Sequence, residues 1–307
     1  MKLNGIHHIT AITGDAPRNL DFYARVLGLR LVKKTVNQDD PTVYHLFYAD
    51  ERGSAGSDIT FFEYPGALPG RAGAGMVHTV VFRVASEEAL DFWAERLGAE
   101  GVEVERTQCM LRFADPEGLV LELEVVDTSD EPLVAEHPEI PREHALQGFH
   151  AVRAYTRDPE QSRAFLEGPL GFEPEGSAWE VRGETRGGFY GYDEPPAENG
   201  RPGGGTVHHV AFATKIEDHD AWQQRIAESG AHPTPVIDRF YFKSIYFREP
   251  SGVLFELATL GPGFATDEDP EHLGERLSLP PNFEQLRAEV EPLLTPLPDP
   301  RATRAAS

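Results

Sequence analysis

The sequence predicts an α+β protein of four βαβββ units, pairing into two cupped, barrel-like halves of mixed sheet. Three observations carry this. One pattern recurs four times, an apolar strand, then a helix stopped by glycine, then further strands, with starts roughly 60–70 residues apart. The 307-residue length suits two bodies of about 130–150 residues each. Each unit's sheet is too small to close alone, so two side by side make a cup.

The first unit opens with the strand GIHHITAIT. Asp15 is placed to cap the next helix, with Pro17 in its first turn. Leu20, Tyr23, Ala24 and Leu27 fall at i, i+3, i+4 and i+7, one apolar face, and Gly28 stops the helix. The strands YHLFYAD and SDITFFEY follow. The second unit starts at MVHTVVFRV. Ser86 caps a helix carrying Leu90, Trp93, Ala94 and Leu97, and Gly98 ends it. A strand around CMLRFA reaches the turn Asp115-Pro116-Glu117-Gly118 and then LVLELEV. The third starts at GFHAVRAYT, with a helix between Asp158-Pro159 and Gly171 and the strand GGFYGYD. The fourth starts at VHHVAFAT, with a helix through Trp222 and Ile226 to Gly230. A hairpin, VIDRFYFKSIYF, turns near Phe242-Lys243, and Glu249-Pro250-Ser251-Gly252 feeds VLFELAT.

In chain order this gives a first pair of units over 1–127, a Pro- and charge-rich linker over 128–145, and a second pair over 146–262. An acidic, Pro-rich tail over 263–307 carries a short helix near 282–294, and 193–205 reads as a loop.

Acidic residues outnumber basic ones by 51 to 28, a net charge of −23, which repels nucleic acid and anionic membrane surfaces. Cys109 is the only cysteine, which excludes an intrachain disulfide and a cysteine-based zinc site. No stretch approaches the ~18 apolar residues of a membrane span. A cytoplasmic protein is expected, and a homo-oligomer is compatible with the sequence.

Two His-His pairs stand at equivalent places in units one and four. Strict alternation puts His8, Thr10 and Ile12 on one face and His7, Ile9 and Ala11 on the other. It likewise sets His209, Ala211 and Ala213 against His208, Val210 and Phe212. Glu256 lies mid-run in VLFELAT, opposite Phe255 and Leu257, where a buried carboxylate needs a partner. A single strand histidine is usually a satisfied structural residue; two equivalent pairs plus a strand carboxylate favour a metal. Two imidazoles and one carboxylate form the facial triad of non-haem Fe(II) oxygenases.

The segments GIHHITAITGDAPRNLDFYARVLGLRLVKKTVNQDDPTVYHLFY, GTVHHVAFAT and DRFYFKSIYFREPSGVLFELAT resemble the vicinal-oxygen-chelate superfamily of glyoxalase, fosfomycin-resistance proteins and extradiol dioxygenases. The match is nearest its ring-cleaving hydroquinone 1,2-dioxygenase branch and spans about residues 4 to 265. The resemblance implies Fe(II), or Mn, Zn or Ni in its place, on His8, His209 and Glu256. It implies a small aromatic diol and O₂ as substrates, and an active cup shared by units one and four. It places His7, Thr10, His208, Arg239 and Tyr246 around the metal. Arg239 would hold a substrate oxygen anion, Tyr246 would donate to a metal-bound oxygen, and His7 or His208 would orient a ligand or move a proton. Phe47, Phe61, Phe240 and Tyr241 are candidates for the pocket lining.

The other two units show His78 and Glu122 at matching places, and His150 followed by Ala151 at a ligand position, so their cup is expected to be structural. Glu63, near the end of SDITFFEY, is the ambiguous residue. Alignment puts Phe62 nearer the ligand slot, and a register slip of one would substitute Glu63. Glu63 as a fourth ligand would favour a glyoxalase-type lyase or isomerase using Zn or Ni. A non-catalytic protein that sequesters a small molecule is the third reading.

Overall fold

The computed structural model describes residues 1–301; the last residues of the expected tail, 302–307, lie outside the described residues. Unit one comprises β1 (Ile6–Thr13), α1 (Ala16–Leu20) running into a π-helical stretch (Asp21–Val26), β2 (Arg30–Asn37), β3 (Asp40–Ala49) and β4 (Asp58–Glu63). Unit two comprises β5 (Val77–Val84), α2 (Glu87–Ala99), β6 (Val104–Arg106), β7 (Met110–Ala114) and β8 (Val120–Val125). Unit three comprises β9 (Phe149–Tyr155), α3 (Glu160–Glu167), β10 (Glu173–Glu175), β11 (Ala178–Arg182) and β12 (Gly187–Asp193). Unit four comprises β13 (Val207–Thr214), α4 (His219–Glu228), β14 (Ile237–Asp238), β15 (Lys243–Arg248) and β16 (Leu254–Thr259). The tail carries α5 (Arg287–Val290) between short 3₁₀ turns, inside the span expected for a helix.

Local chemistry explains the helices. The Asp15 carboxylate accepts from the Arg18 N–H and the Ser86 hydroxyl from the Ala89 N–H, so both caps act as expected. Leu20, Tyr23, Ala24 and Leu27 are all buried, and Gly28 takes the left-handed conformation (φ +72°) that ends the helix. The sequence pattern did not reveal β2, β6, β10 and β11. In β2 the reason is physical: all eight residues are buried, Lys33 and Lys34 included, so no in–out alternation exists to read.

The strands form two eight-stranded sheets. One has the order β14-β15-β16-β13-β1-β4-β3-β2 and joins units one and four. The other, β10-β11-β12-β9-β5-β8-β7-β6, joins units two and three. The chain-order division into 1–127 and 146–262 therefore cuts across both sheets. The 128–145 segment is a packed strap: Val134, Ala135, Ile140 and Ala145 are buried, and the Trp93 indole N–H donates to the His144 carbonyl at 2.7 Å. A large apolar core includes Ile9, Phe61, Val210, Phe212 and Phe255 from the first sheet and Val80, Phe82 and Val152 from the second. The alternate side chains of the first sheet, among them Phe47, Ala211 and Ala258, form a second cluster with Phe242 and Phe264. The tail covers the β2 edge: Ser278 N–H donates to the Lys34 carbonyl at 2.9 Å, and Leu273, Leu277 and Leu279 are buried. Among the described residues, no helix is long and apolar enough to cross a membrane.

Strict alternation fails at the His pairs. Ile6 pairs with Phe212 and His8 with Ala211, leaving His7 as an extra residue; Thr10 pairs with His209 and Ala11 with Val207, leaving His208 extra. The β5–β9 pairing repeats this at His78 and His150. Each unit thus starts with a bulged strand whose extra residue is histidine. A bulge turns two neighbouring side chains toward one side. The expected separation of His7 from His8, and of His208 from His209, is therefore corrected. So is the placing of His78, which matches His7 and His208; Thr79 takes the ligand position in unit two.

Candidate metal centre

β1 and β13 lie side by side at the centre of their sheet, and β16 follows β13 with Ala211 opposite Glu256. This register brings His8, His209 and Glu256 together, their ligating atoms all within 4.8 Å of one another. Glu256 Oε2 lies 3.2 Å from His8 Nε2 and 2.9 Å from His209 Nε2, and the two Nε2 atoms are 3.3 Å apart. All three residues are buried, Glu256 completely.

The hydrogen bonding defines the tautomers of His7 and His8. His8 Nδ1 lies 2.9 Å from His7 Nδ1, whose ring reaches the Thr259 carbonyl through Nε2 at 3.1 Å. A carbonyl only accepts, so His7 carries its proton on Nε2 and accepts at Nδ1 from the His8 Nδ1–H. His8 Nε2 is left as a lone pair facing the cluster. His209 Nδ1 makes the matching contact to His208 Nδ1 at 2.8 Å. Burial is the main cause that lowers His209 and takes His7 to about 3 and His208 to about 4, which keeps those three rings neutral. Neither oxygen of Glu256 has a hydrogen-bond donor. Two converging lone pairs and a buried, unpaired carboxylate repel one another unless a cation lies among them. The donor set fits a first-row divalent metal.

The other sheet supplies a contrast. Glu122 lies opposite Val81 as Glu256 lies opposite Ala211, but Thr79 and Ala151 replace the two ligand histidines and Gly191 faces Arg153. Arg153 donates to both Glu122 oxygens at 2.7 Å, and Arg112 adds a contact at 2.8 Å. The guanidinium groups supply the positive charge that a metal would supply in the first cup.

Thr60, opposite Thr10, occupies the place in unit one that Glu256 holds in unit four. Its hydroxyl donates to Thr10 Oγ1 at 2.8 Å and meets His45 Nε2 at 2.9 Å. Neither Phe62 nor Glu63 takes the ligand slot. Glu63 Oε1 accepts from the Thr295 hydroxyl at 2.7 Å and the Ala16 N–H at 3.3 Å, outside the triad.

A narrow cavity of about 30 Å³ lies over His8 and His209. Phe47, Phe62, Tyr241 and Phe242 form apolar walls; Gln38, Asp39, His45, Arg239 and Tyr246 add polar groups. The Tyr246 ring lies 5.6 Å from that of His209, and the Arg239 guanidinium 5.5 Å from the Tyr246 ring. Burial above all raises the Tyr246 phenol, so it stays a protonated donor. Thr10 lies behind the cavity wall, bonded to Thr60. Of the four expected lining residues, Phe47 and Tyr241 line the cavity. Phe61 turns into the inter-sheet core, and Phe240, at φ +71°, packs on the second apolar cluster. Sequence reasoning missed His45, whose ring lies 3.9 Å from that of Phe47, although its spacing two residues before Phe47 put it on the same face.

The sequence profile of the Glyoxalase/Bleomycin resistance protein/Dioxygenase superfamily matches residues 5–123 and 148–257, and the chain belongs to this superfamily. It is 41% identical to a Bacillus subtilis protein named "Putative ring-cleaving dioxygenase MhqA", over 97% of this chain and 100% of that one. It is 34% identical to chlorohydroquinone/hydroquinone 1,2-dioxygenase of Sphingobium indicum, over 94% of this chain and 95% of that one. A crystal structure of a Bacillus subtilis protein described as a "putative dioxygenase" superposes with a TM-score of 0.89 at 41% identity, covering 96% of this chain and 98% of that one. Glyoxalase I from Zea mays shares the fold at a TM-score of 0.57 and 16% identity, over 83% of this chain and 92% of that one.

Proposed function

We propose that the protein is an Fe(II)-dependent ring-cleaving dioxygenase that opens hydroquinone- or catechol-type aromatic diols with O₂. The observation that carries this reading is the buried His8–His209–Glu256 cluster, with unpaired ligand atoms, under a cavity walled by aromatic rings. The end-to-end similarity to proteins named as ring-cleaving dioxygenases supports it. His8, His209 and Glu256 would hold the iron through Nε2, Nε2 and a carboxylate oxygen. Bound there, Fe(II) supplies open coordination positions for the diol and O₂, and a redox path between them.

The chain's own groups do the rest. Phe47, Phe62 and Phe242 exclude water and hold the ring. Tyr246 donates its phenolic proton to an oxygen beside the metal, and Arg239 attracts a ring oxygen that has lost its proton. The two His pairs divide the remaining work. His7 ends on the Thr259 carbonyl, so it holds the His8 tautomer and orients the ring. His208 makes the matching Nδ1 contact to His209 and orients that ring. Thr10 steadies the site through Thr60. Glu63, the fourth ligand a glyoxalase-type lyase would want, is engaged by Thr295 and Ala16.

The test is anaerobic reconstitution with Fe(II), addition of methylhydroquinone or catechol, and measurement of O₂ uptake. Uptake in proportion to ring opening is expected. No uptake with any diol, together with isomerisation of a glutathione adduct by the Zn- or Ni-loaded protein, overturns the reading.

A further inference from the structure

The strongest cation of the cavity wall is already occupied. Arg239, in the β14–β15 turn of unit four, donates to both carboxylate oxygens of Asp39, at 3.1 and 2.8 Å. Asp39 lies in the β2–β3 turn of unit one. Next to it, the Gln38 amide donates to the Arg239 carbonyl at 2.7 Å. Both turns line the cavity. The order outward from the metal site is His209, then the Tyr246 ring, then Arg239, then Asp39, whose side chain is 71% exposed against 16% for Arg239. A ring seated over the triad with a substituent pointing outward meets Arg239 and Asp39 together.

We infer that Asp39 is a specificity-determining residue that excludes diols bearing a carboxylate from the outer half of this cavity. The inference rests on the dioxygenase reading. Arg239 and Asp39 form a two-pronged pair through Nη1 and Nη2, so that edge of the guanidinium is taken, and only the side carrying Nε–H is left for a substrate oxygen. Among the described residues no other arginine and no lysine lines the cavity; His8 and His209 are buried and His45 is half-buried. A carboxylate that takes the Nη1/Nη2 edge must displace Asp39, a tethered competitor whose effective concentration is on the order of mM. Once displaced, Asp39 and the incoming carboxylate repel each other across a few ångströms. Diols with uncharged substituents meet neither obstacle and pack against Phe47, Phe62 and Phe242. The pair itself is weak, because its carboxylate is exposed, so the exclusion works by competition and repulsion.

The test compares two para-diols that differ in one substituent, methylhydroquinone and 2,5-dihydroxyphenylacetate. Their dissociation constants are measured anaerobically by calorimetry on the Fe(II)-loaded full-length protein, without turnover. The wild type should favour methylhydroquinone by about tenfold or more. Asp39→Asn should close most of that gap, about tenfold, chiefly by tightening the acid, and Asp39→Glu should restore it. Equal binding of the two diols by the wild type overturns the inference and leaves the dioxygenase reading standing. Equal weakening of both diols by Asp39→Asn also overturns it, since that is what a merely structural turn residue would produce. Binding of neither diol by the wild type overturns both.

Discussion

His8 Nε2 and His209 Nε2 face each other at 3.3 Å across 201 residues of sequence, each the second member of a His-His pair on a bulged strand. The Glu256 carboxylate lies 3.2 and 2.9 Å from the two nitrogens, a donor set that a divalent cation would satisfy. The first cup therefore gathers three side chains whose chemistry fits a metal.

Removing a ligand should remove the metal. His209→Ala and Glu256→Gln are expected to lose bound iron, with at least about a hundredfold weaker affinity than wild type. Glu63→Gln should keep its full metal content, because Glu63 bonds to Thr295 and Ala16. Elemental analysis after gel filtration decides this; full iron in His209→Ala would remove the site assignment. The loaded protein should melt higher than its chelator-treated form, by about 2.7 kcal/mol when free metal is a hundredfold above the dissociation constant.

The His7 relay makes a separate prediction. His7→Phe takes away the acceptor that holds the His8 proton on Nδ1, so metal affinity should fall about 10–100-fold while the fold stays intact. Competition with a chromophoric chelator measures it. An unchanged affinity would show that the Thr259–His7–His8 chain does not orient the ligand.

Lys33 tests the tail. Its ammonium group is fully buried, lies 2.8 Å from Asp267, contacts Glu268 and sits over the Tyr241 ring. Lys33→Met leaves carboxylates buried without their cation and should cost about 3–5 kcal/mol. Urea unfolding gives the number. A loss under about 1 kcal/mol would mean that the tail is held by its leucines alone.

Acid should destabilise the metal-free protein through the second cup. Burial above all lowers both His78 and His150, to about 4 from 6.5, with Asp193 opposing it at His78. Between about pH 4 and 6.5 the unfolded chain binds more protons at these two rings than the folded one does. Stability therefore rises with pH through that window and levels off above 6.5, with a slope of at most about 1.4 kcal/mol per pH unit per histidine. The double variant His78→Gln/His150→Gln should show a shallower slope in urea titrations at pH 5 and 7. An identical slope would place the acid sensitivity elsewhere.

Much of this was legible in the chain. Four helices, the Asp15 and Ser86 caps and the apolar faces of the opening strands follow from local rules of period and capping; Gly28 and Gly230 end their helices as expected, whereas Gly98 lies inside α2 and Gly101 takes the left-handed turn beyond it. The candidates His8, His209 and Glu256 also stood out, as polar residues at equivalent places in apolar runs. β2 was not legible, because a strand covered by the tail on its outer side has no polar face to alternate with. The shared face of His7 and His8 was not legible either, because a bulge is a property of two paired strands and alternation describes only one.

The sequence by itself thus determined the four units and their helices, which depend on neighbours within a few positions; the resemblance singled out His8, His209 and Glu256 as candidate ligands. The tertiary structure alone decided that His7 and His208 stand beside the ligands, that Thr60 and not Glu63 holds the fourth place, that Arg153 fills the second cup, and that Asp39 reaches Arg239. Each of these depends on register between strands brought together from distant parts of the chain. A shift of one residue there exchanges faces, and no local pattern records it.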